Sequence, residues 1–140
     1  MQPTGYLSLV LHAHLPYVRH PEHERFFEER WFFEALTECY IPLLRMFYKL
    51  HSEGIAYRMT LSLSPTLLAM FDDQLLRERY LKHLESQIEL AEKEVRRTHH
   101  DPRFNHLAVM YRSIHYETRQ FYLEQCAGGH PETAFRQLAD

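Results

Sequence analysis

Tyr6-Leu7-Ser8-Leu9-Val10-Leu11-His12-Ala13-His14-Leu15-Pro16 decides how the chain is read. The run from Tyr6 to His12 follows Gly5, is rich in β-favouring and apolar residues, and meets a proline at 16. A short apolar run bounded by turn signals predicts a buried strand. Its partner is found fifty residues on. Ile55-Ala56-Tyr57-Arg58-Met59-Thr60-Leu61-Ser62-Leu63 places Ile55, Tyr57, Met59, Leu61 and Leu63 at alternate positions, the period of a second strand.

Between them, residues 15–24 carry two prolines and read as a loop. From about Glu28 to Leu50 the period becomes helical, with an apolar stripe at Phe32, Leu36, Cys39, Leu43, Phe47 and Leu50. Pro42 interrupts that stretch and predicts a kink or break. Gly54 is placed to end the helix in a left-handed cap. A helix that separates two strands implies a crossover, hence parallel pairing.

The second half is helical. Ser64-Pro65 is a cap followed by proline at the first helical position, and predicts a short helix to about Phe71. After Asp72-Asp73 a long helix is expected over residues 74–97, with a stripe at Leu76, Tyr80, Leu84, Ile88, Ala91 and Val95. Glu78–Lys82 and Glu89–Lys93 give it charge pairs four residues apart. His99-His100-Asp101-Pro102 reads as a turn. A further helix follows from about Arg103 to Cys126, closed by Gly128-Gly129, and Pro131 opens a last one expected to be still running at Asp140. Two parallel strands cannot cover the apolar stripes of so many helices, because parallel sheets are normally large and buried on both faces. The chain is therefore expected to be the beginning of a larger α/β protein.

Composition sets outer bounds. The 140 residues are 45% hydrophobic and 25% charged, the balance of a globular domain. A net charge of −3 gives no electrostatic reason to expect nucleic acid. No apolar run approaches the roughly 18 residues of a membrane span, and the apolar start lacks the basic residues of a signal peptide. Two cysteines, Cys39 and Cys126, are too few for a disulfide framework. The expectation is a cytoplasmic chain with free thiols, with Cys39 in the core as part of its helix stripe.

Among the 11 histidines, His12 and His14 are the most informative. Two apart at the carboxyl end of a strand, they leave the same face, at the end where parallel α/β folds bind ligands. A bridging role towards the neighbouring loop is the competing reading. A metal site is not expected: catalytic zinc takes about three protein ligands, and neither His20 and His23 nor the capping turn at His99 supplies a recognised spacing. Trp31, the single tryptophan, begins the first helix and suits either stacking on a sugar or packing against the core. Glu28-Glu29 and Asp72-Asp73 are read as helix starts and solvated faces, not as a catalytic carboxylate pair.

The stretch from Tyr6 to Arg19, with Glu29-Arg30-Trp31-Phe32-Phe33-Glu34-Ala35, Tyr40-Ile41-Pro42-Leu43-Leu44, Thr60-Leu61-Ser62-Leu63-Ser64-Pro65 and the helix around Arg79-Tyr80, resembles family 57 glycoside hydrolases. More narrowly, it is similar to the branch that contains 1,4-α-glucan branching enzymes. The resemblance covers nearly the whole chain. It implies an α/β fold, with residues 1–140 as the amino-terminal portion of an incomplete (β/α)7 barrel, two parallel strands and a helix-rich insertion. It further implies retaining cleavage of α-1,4-glucan and transfer to a 6-hydroxyl, without metal or organic cofactor. By the same resemblance His12 and His14 line the sugar site, and Trp31 contributes to the substrate cleft. The family's glutamate nucleophile and aspartate acid/base belong to later strands, so the chain alone is expected to be inactive, with the remainder of the barrel carboxyl-terminal to Asp140 as its partner. A 4-α-glucanotransferase or α-amylase of the same family is the alternative within enzymes. A non-catalytic carbohydrate-binding module is the alternative outside them.

Overall fold

The computed structural model describes residues 4–139. Strand β1 (Val10–Ala13) is followed by helix α1 (Glu29–Ala35), a π-helical segment (Leu36–Tyr40), α2 (Ile41–Ser52), strand β2 (Thr60–Leu63), α3 (Pro65–Asp72), α4 (Gln74–Arg97), α5 (Pro102–Glu124) and α6 (Pro131–Gln137). The strands pair in parallel, with Val10 opposite Thr60, Leu11 opposite Leu61, His12 opposite Ser62 and Ala13 opposite Leu63. Both strands are shorter than their sequence patterns, because a ladder forms only where a neighbour is present. Among the described residues the sheet has two strands. The α/β architecture with mostly helices is as expected; the last helix stops at Gln137, and Asp140 lies outside the described residues.

Pro42 does not break the helix. The backbone N–H of Ile41 donates to the carbonyl of Leu36, five residues back, so the turn before the proline is widened. A wide turn moves the preceding carbonyls away from the pyrrolidine ring, which an α-turn would bring into collision. Pro42 is then the second residue of α2, in a helix that runs on from the π segment without a break. The extra residue in the turn also shifts the helix phase. Leu36, Tyr40, Ile41, Leu44 and Phe47 are buried, whereas Cys39 is exposed. The expected core position of Cys39 is corrected accordingly, and Leu43 and Leu50 are only half-buried.

The helix ends follow their capping residues. Ser64 accepts from the backbone N–H of Leu67, Asp73 from Leu76 and Asp101 from Arg103. Replacing Ser64 by Ala is expected to cost about 1 kcal/mol, read as a lower urea midpoint at unchanged slope; an unchanged midpoint would show that Pro65 alone sets the start of α3. At the other end of α2, Gly54 has φ +66°, its N–H donates to His51 and the N–H of Ile55 to Leu50. That pair of bonds is a Schellman cap, which needs the left-handed region.

Helix α4 spans the core. Leu76, Tyr80, Leu84, Ile88 and Ala91 are buried at spacings of three and four, as the pattern predicts, and Val95 is half-buried. Tyr80 is the centre of this packing. Its ring lies 5.8 Å from Phe33 and 4.8 Å, edge-on, from Tyr122, and its hydroxyl shares a 3.0 Å hydrogen bond with Thr37 of the π segment. Helices α4 and α5 form an antiparallel hairpin, its turn held by Asn105, which donates to the Val95 carbonyl at 2.9 Å.

Candidate functional site

The carboxyl end of β1 presents the expected histidines together. Ala13 is buried, while His12 and His14 on either side of it are exposed. Their rings stack, with centroids 5.8 Å apart and planes 14° from parallel. This follows from the two-residue period of a strand. His12 Nδ1 is 3.2 Å from Ser62 Oγ, the residue opposite it in the sheet, so both strands contribute to the same small polar face.

Trp31 stands at the start of α1 and is 43% exposed. Among the described residues its ring partner is Phe27, met edge-on at 6.4 Å, not either histidine. Phe27 is itself 68% exposed, so the two rings form an uncovered aromatic corner. An exposed aromatic ring offers a flat apolar face of the kind that the C–H face of a sugar packs against.

The loop between β1 and α1 joins these two features, and its anchoring was not foreseen. Glu29, expected as a solvated helix start, is 2% exposed and ion-paired with Arg79 of α4. Glu29 also accepts from the backbone N–H of His20 at 3.2 Å. The Arg79 guanidinium donates to the carbonyl of His20 at 3.1 Å and to that of His23. Asp73, read as a helix start, both caps α4 and takes a 2.5 Å ion pair from Arg19. His20 has Glu22 at 3.1 Å on one ring nitrogen and Glu28 at 3.2 Å on the other. The carboxyl of Glu22 is held below its ordinary value, first by hydrogen bonding to its own backbone amide and then by His20. Phe26 packs on His20 and His23, with centroids 3.7 and 5.0 Å away. No spacing in the sequence signals these contacts, since Glu29 and Arg79 are 50 residues apart.

Among the described residues one group has the composition of a cation site: Asp72, His130 and Glu132. The Arg77 guanidinium lies against Nε2 of His130, and Nδ1 faces Glu132 at 2.9 Å and Asp72 at 3.8 Å. A ring nitrogen facing a guanidinium accepts, which leaves the proton on Nδ1, directed at Glu132. Arginine already supplies the positive charge here, and the group reads as a hydrogen-bonded network tying the start of α6 to α4. His99 and His100 are in the turn that Asp101 uses to cap α5. A groove of about 370 Å³ runs along the α4–α5 hairpin, lined by Leu90, Ala91, Phe104, Leu107, Tyr111 and His115, and does not include the strand ends. Among the described residues no helix is long and apolar enough to cross a membrane.

The described residues thus place two exposed histidines at the carboxyl end of β1 and an exposed aromatic pair at the start of α1. Residues 8–138 match the model of glycosyl hydrolase family 57, and the chain belongs to that family. It is 34% identical over 98 residues to a 1,4-alpha-glucan branching enzyme of Thermococcus kodakarensis, an alignment that covers 69% of this chain and 14% of that protein. Among solved structures, the alpha-amylase AmyC of Thermotoga maritima superposes with a TM-score of 0.87 at 41% identity, covering 94% of this chain and 24% of that one. The family 57 branching enzyme of Pyrococcus horikoshii also gives 0.87, at 30% identity, over 97% of this chain and 25% of that one. The chain therefore spans between a seventh and a quarter of the length of these relatives.

Proposed function

We propose that the chain forms the amino-terminal portion of the catalytic barrel of a retaining α-glucan-active enzyme, with 1,4-α-glucan branching as its reaction. The observation that carries this reading is the stacked His12–His14 pair, solvent-facing at the carboxyl end of β1. Imidazole nitrogens both donate and accept, which matches the ring hydroxyls of a glucosyl unit. Trp31, with Phe27, supplies the stacking face. Two further features support a larger barrel. Among the described residues the sheet has two strands, and Tyr6, Leu7 and Leu9 before β1 and Val10 at its start are exposed. So are Leu90, Phe104, Leu107 and Tyr111 on the hairpin. Apolar surface of this extent calls for a partner.

Retaining transfer needs two carboxyl groups about 5–5.5 Å apart, one as nucleophile and one as acid and then base. In this reading they come from strands that follow β2 in the complete barrel, and the present residues bind and orient the sugar. Binding without the pair forms no glycosyl-enzyme intermediate. The chain incubated with amylose is thus expected to produce no new α-1,6 linkages, while maltoheptaose shifts the emission of Trp31. Measurable branching by the chain would overturn the division of labour proposed here. In a complete enzyme carrying this segment, His12→Ala and His14→Ala are each expected to lower turnover about 10-fold or more, the value of one lost polar contact to the substrate; unchanged rates would return both side chains to a bridging role. The 41% identity to an alpha-amylase favours a second reading, hydrolysis rather than transfer, which an assay for reducing ends against α-1,6 linkages separates.

A further inference from the structure

The sugar-facing residues are exposed and sit on or beside a loop of fifteen residues between β1 and α1, yet that loop is fixed along its length. Thr66 Oγ1 donates to the carbonyl of Leu15 at 3.1 Å, and Val18 is buried with its N–H on the sulfur of Met70 at 3.4 Å. Arg19 is paired to Asp73, at the first turn of α4. The last anchor differs from these in kind. One guanidinium, 15% exposed, reaches a buried carboxylate of α1 and two carbonyls of the loop at once. Glu29 closes the circuit by accepting from the loop's own His20 N–H.

We infer that Arg79 is a positioning residue for the sugar site, acting through the His20–His23 backbone. The fork sets the height of that turn above α1. Phe26, packed on both histidines, follows the turn. Phe27, the next residue, meets Trp31, so the aromatic corner is placed by α4 although no residue of α4 belongs to it. A planar guanidinium can serve three acceptors in fixed directions, whereas an ammonium is a single point charge. Arg79→Lys therefore keeps a positive charge beside Glu29 and gives up the fork.

The test compares the wild-type chain with Arg79→Lys, and with the double variant Glu29→Gln/Arg79→Gln, which leaves no unpaired buried charge if the single variant folds poorly. Without any ligand, amide exchange across residues 19–27 is expected to quicken about 10-fold in either variant, as one or two charge-assisted bonds are lost. Acrylamide quenching of Trp31 should rise in parallel, while exchange in the α4–α5 hairpin is unchanged. A purely structural role would instead loosen the hairpin together with the loop, and would overturn the inference; so would a loop that exchanges as slowly as in the wild type. The ligand arm rests on the glucan reading above: maltoheptaose is expected to bind the variants about 10-fold more weakly by Trp31 emission. If the wild type gives no maltoheptaose response, the glucan reading falls, and the ligand-free exchange still decides the role of Arg79.

Discussion

Glu29→Ala is expected to remove about 3–5 kcal/mol of folding free energy, the range for breaking a buried ion pair by deleting one partner. The carboxylate is 2% exposed and the Arg79 side chain 15%, so solvent can do little for the cation left behind. The loss also frees the His20 N–H that Glu29 accepts. Domains of this size hold about 5–15 kcal/mol in total, so the loss is a large share of it. Urea unfolding followed by far-ultraviolet circular dichroism measures it. A loss below about 1 kcal/mol, the value of an exposed pair, would mean that water reaches Arg79. Glu29→Gln keeps an acceptor for His20 and is expected to cost less than Ala.

At pH 8 Cys39 should react with a soluble thiol reagent far faster than Cys126. Cys39 is exposed within the π segment, and Cys126 is fully buried. Burial, assisted by the charge of Glu132, pushes the Cys126 thiol from an ordinary 9.0 up to about 12. A thiol so raised holds very little thiolate at pH 8, and the thiolate is the nucleophile. Iodoacetamide followed by peptide mass spectrometry is expected to label Cys39 and spare Cys126. Equal labelling would show that the α5–α6 junction opens readily. The same shift makes folding sensitive to alkali. The unfolded thiol releases its proton near pH 9 and the folded one near 12, so the contribution is complete below 9 and falls as pH rises from 9 to 12. Tyr80 and Tyr122, both raised by burial, act in the same direction above about pH 10.

Local chemistry was legible in the sequence and long-range chemistry was not. Ser64, Asp73, Asp101 and Gly54 announce helix ends because a cap is satisfied within two to five residues. The common face of His12 and His14 is legible for the same reason, since strand period alone determines it. The expected place of Cys39 fails because a proline in a helical pattern can be met by a kink or by a wide turn before it, and the second takes the residues of that turn, Cys39 among them, off the α-helical period. Glu29 and Asp73 looked solvated because their cations, Arg79 and Arg19, lie 50 and 54 residues away. A carboxylate at a helix start reads the same whether water or a guanidinium faces it. The family resemblance, carried by several separated motifs, recovered the membership that spacing alone could not.

The parallel pairing of β1 with β2 has a consequence for the order of folding. His12 and Ser62 are 50 residues apart, and bringing them together must close that loop before any ladder bond repays it. The α4–α5 hairpin needs only the tight turn at Thr98–Asp101. Helical hairpins of this kind assemble early and long-range parallel strands late. In stopped-flow refolding, circular dichroism at 222 nm should therefore recover ahead of Trp31 emission, and the strand end that carries His12 and His14 would be the last part of the molecule to acquire its shape.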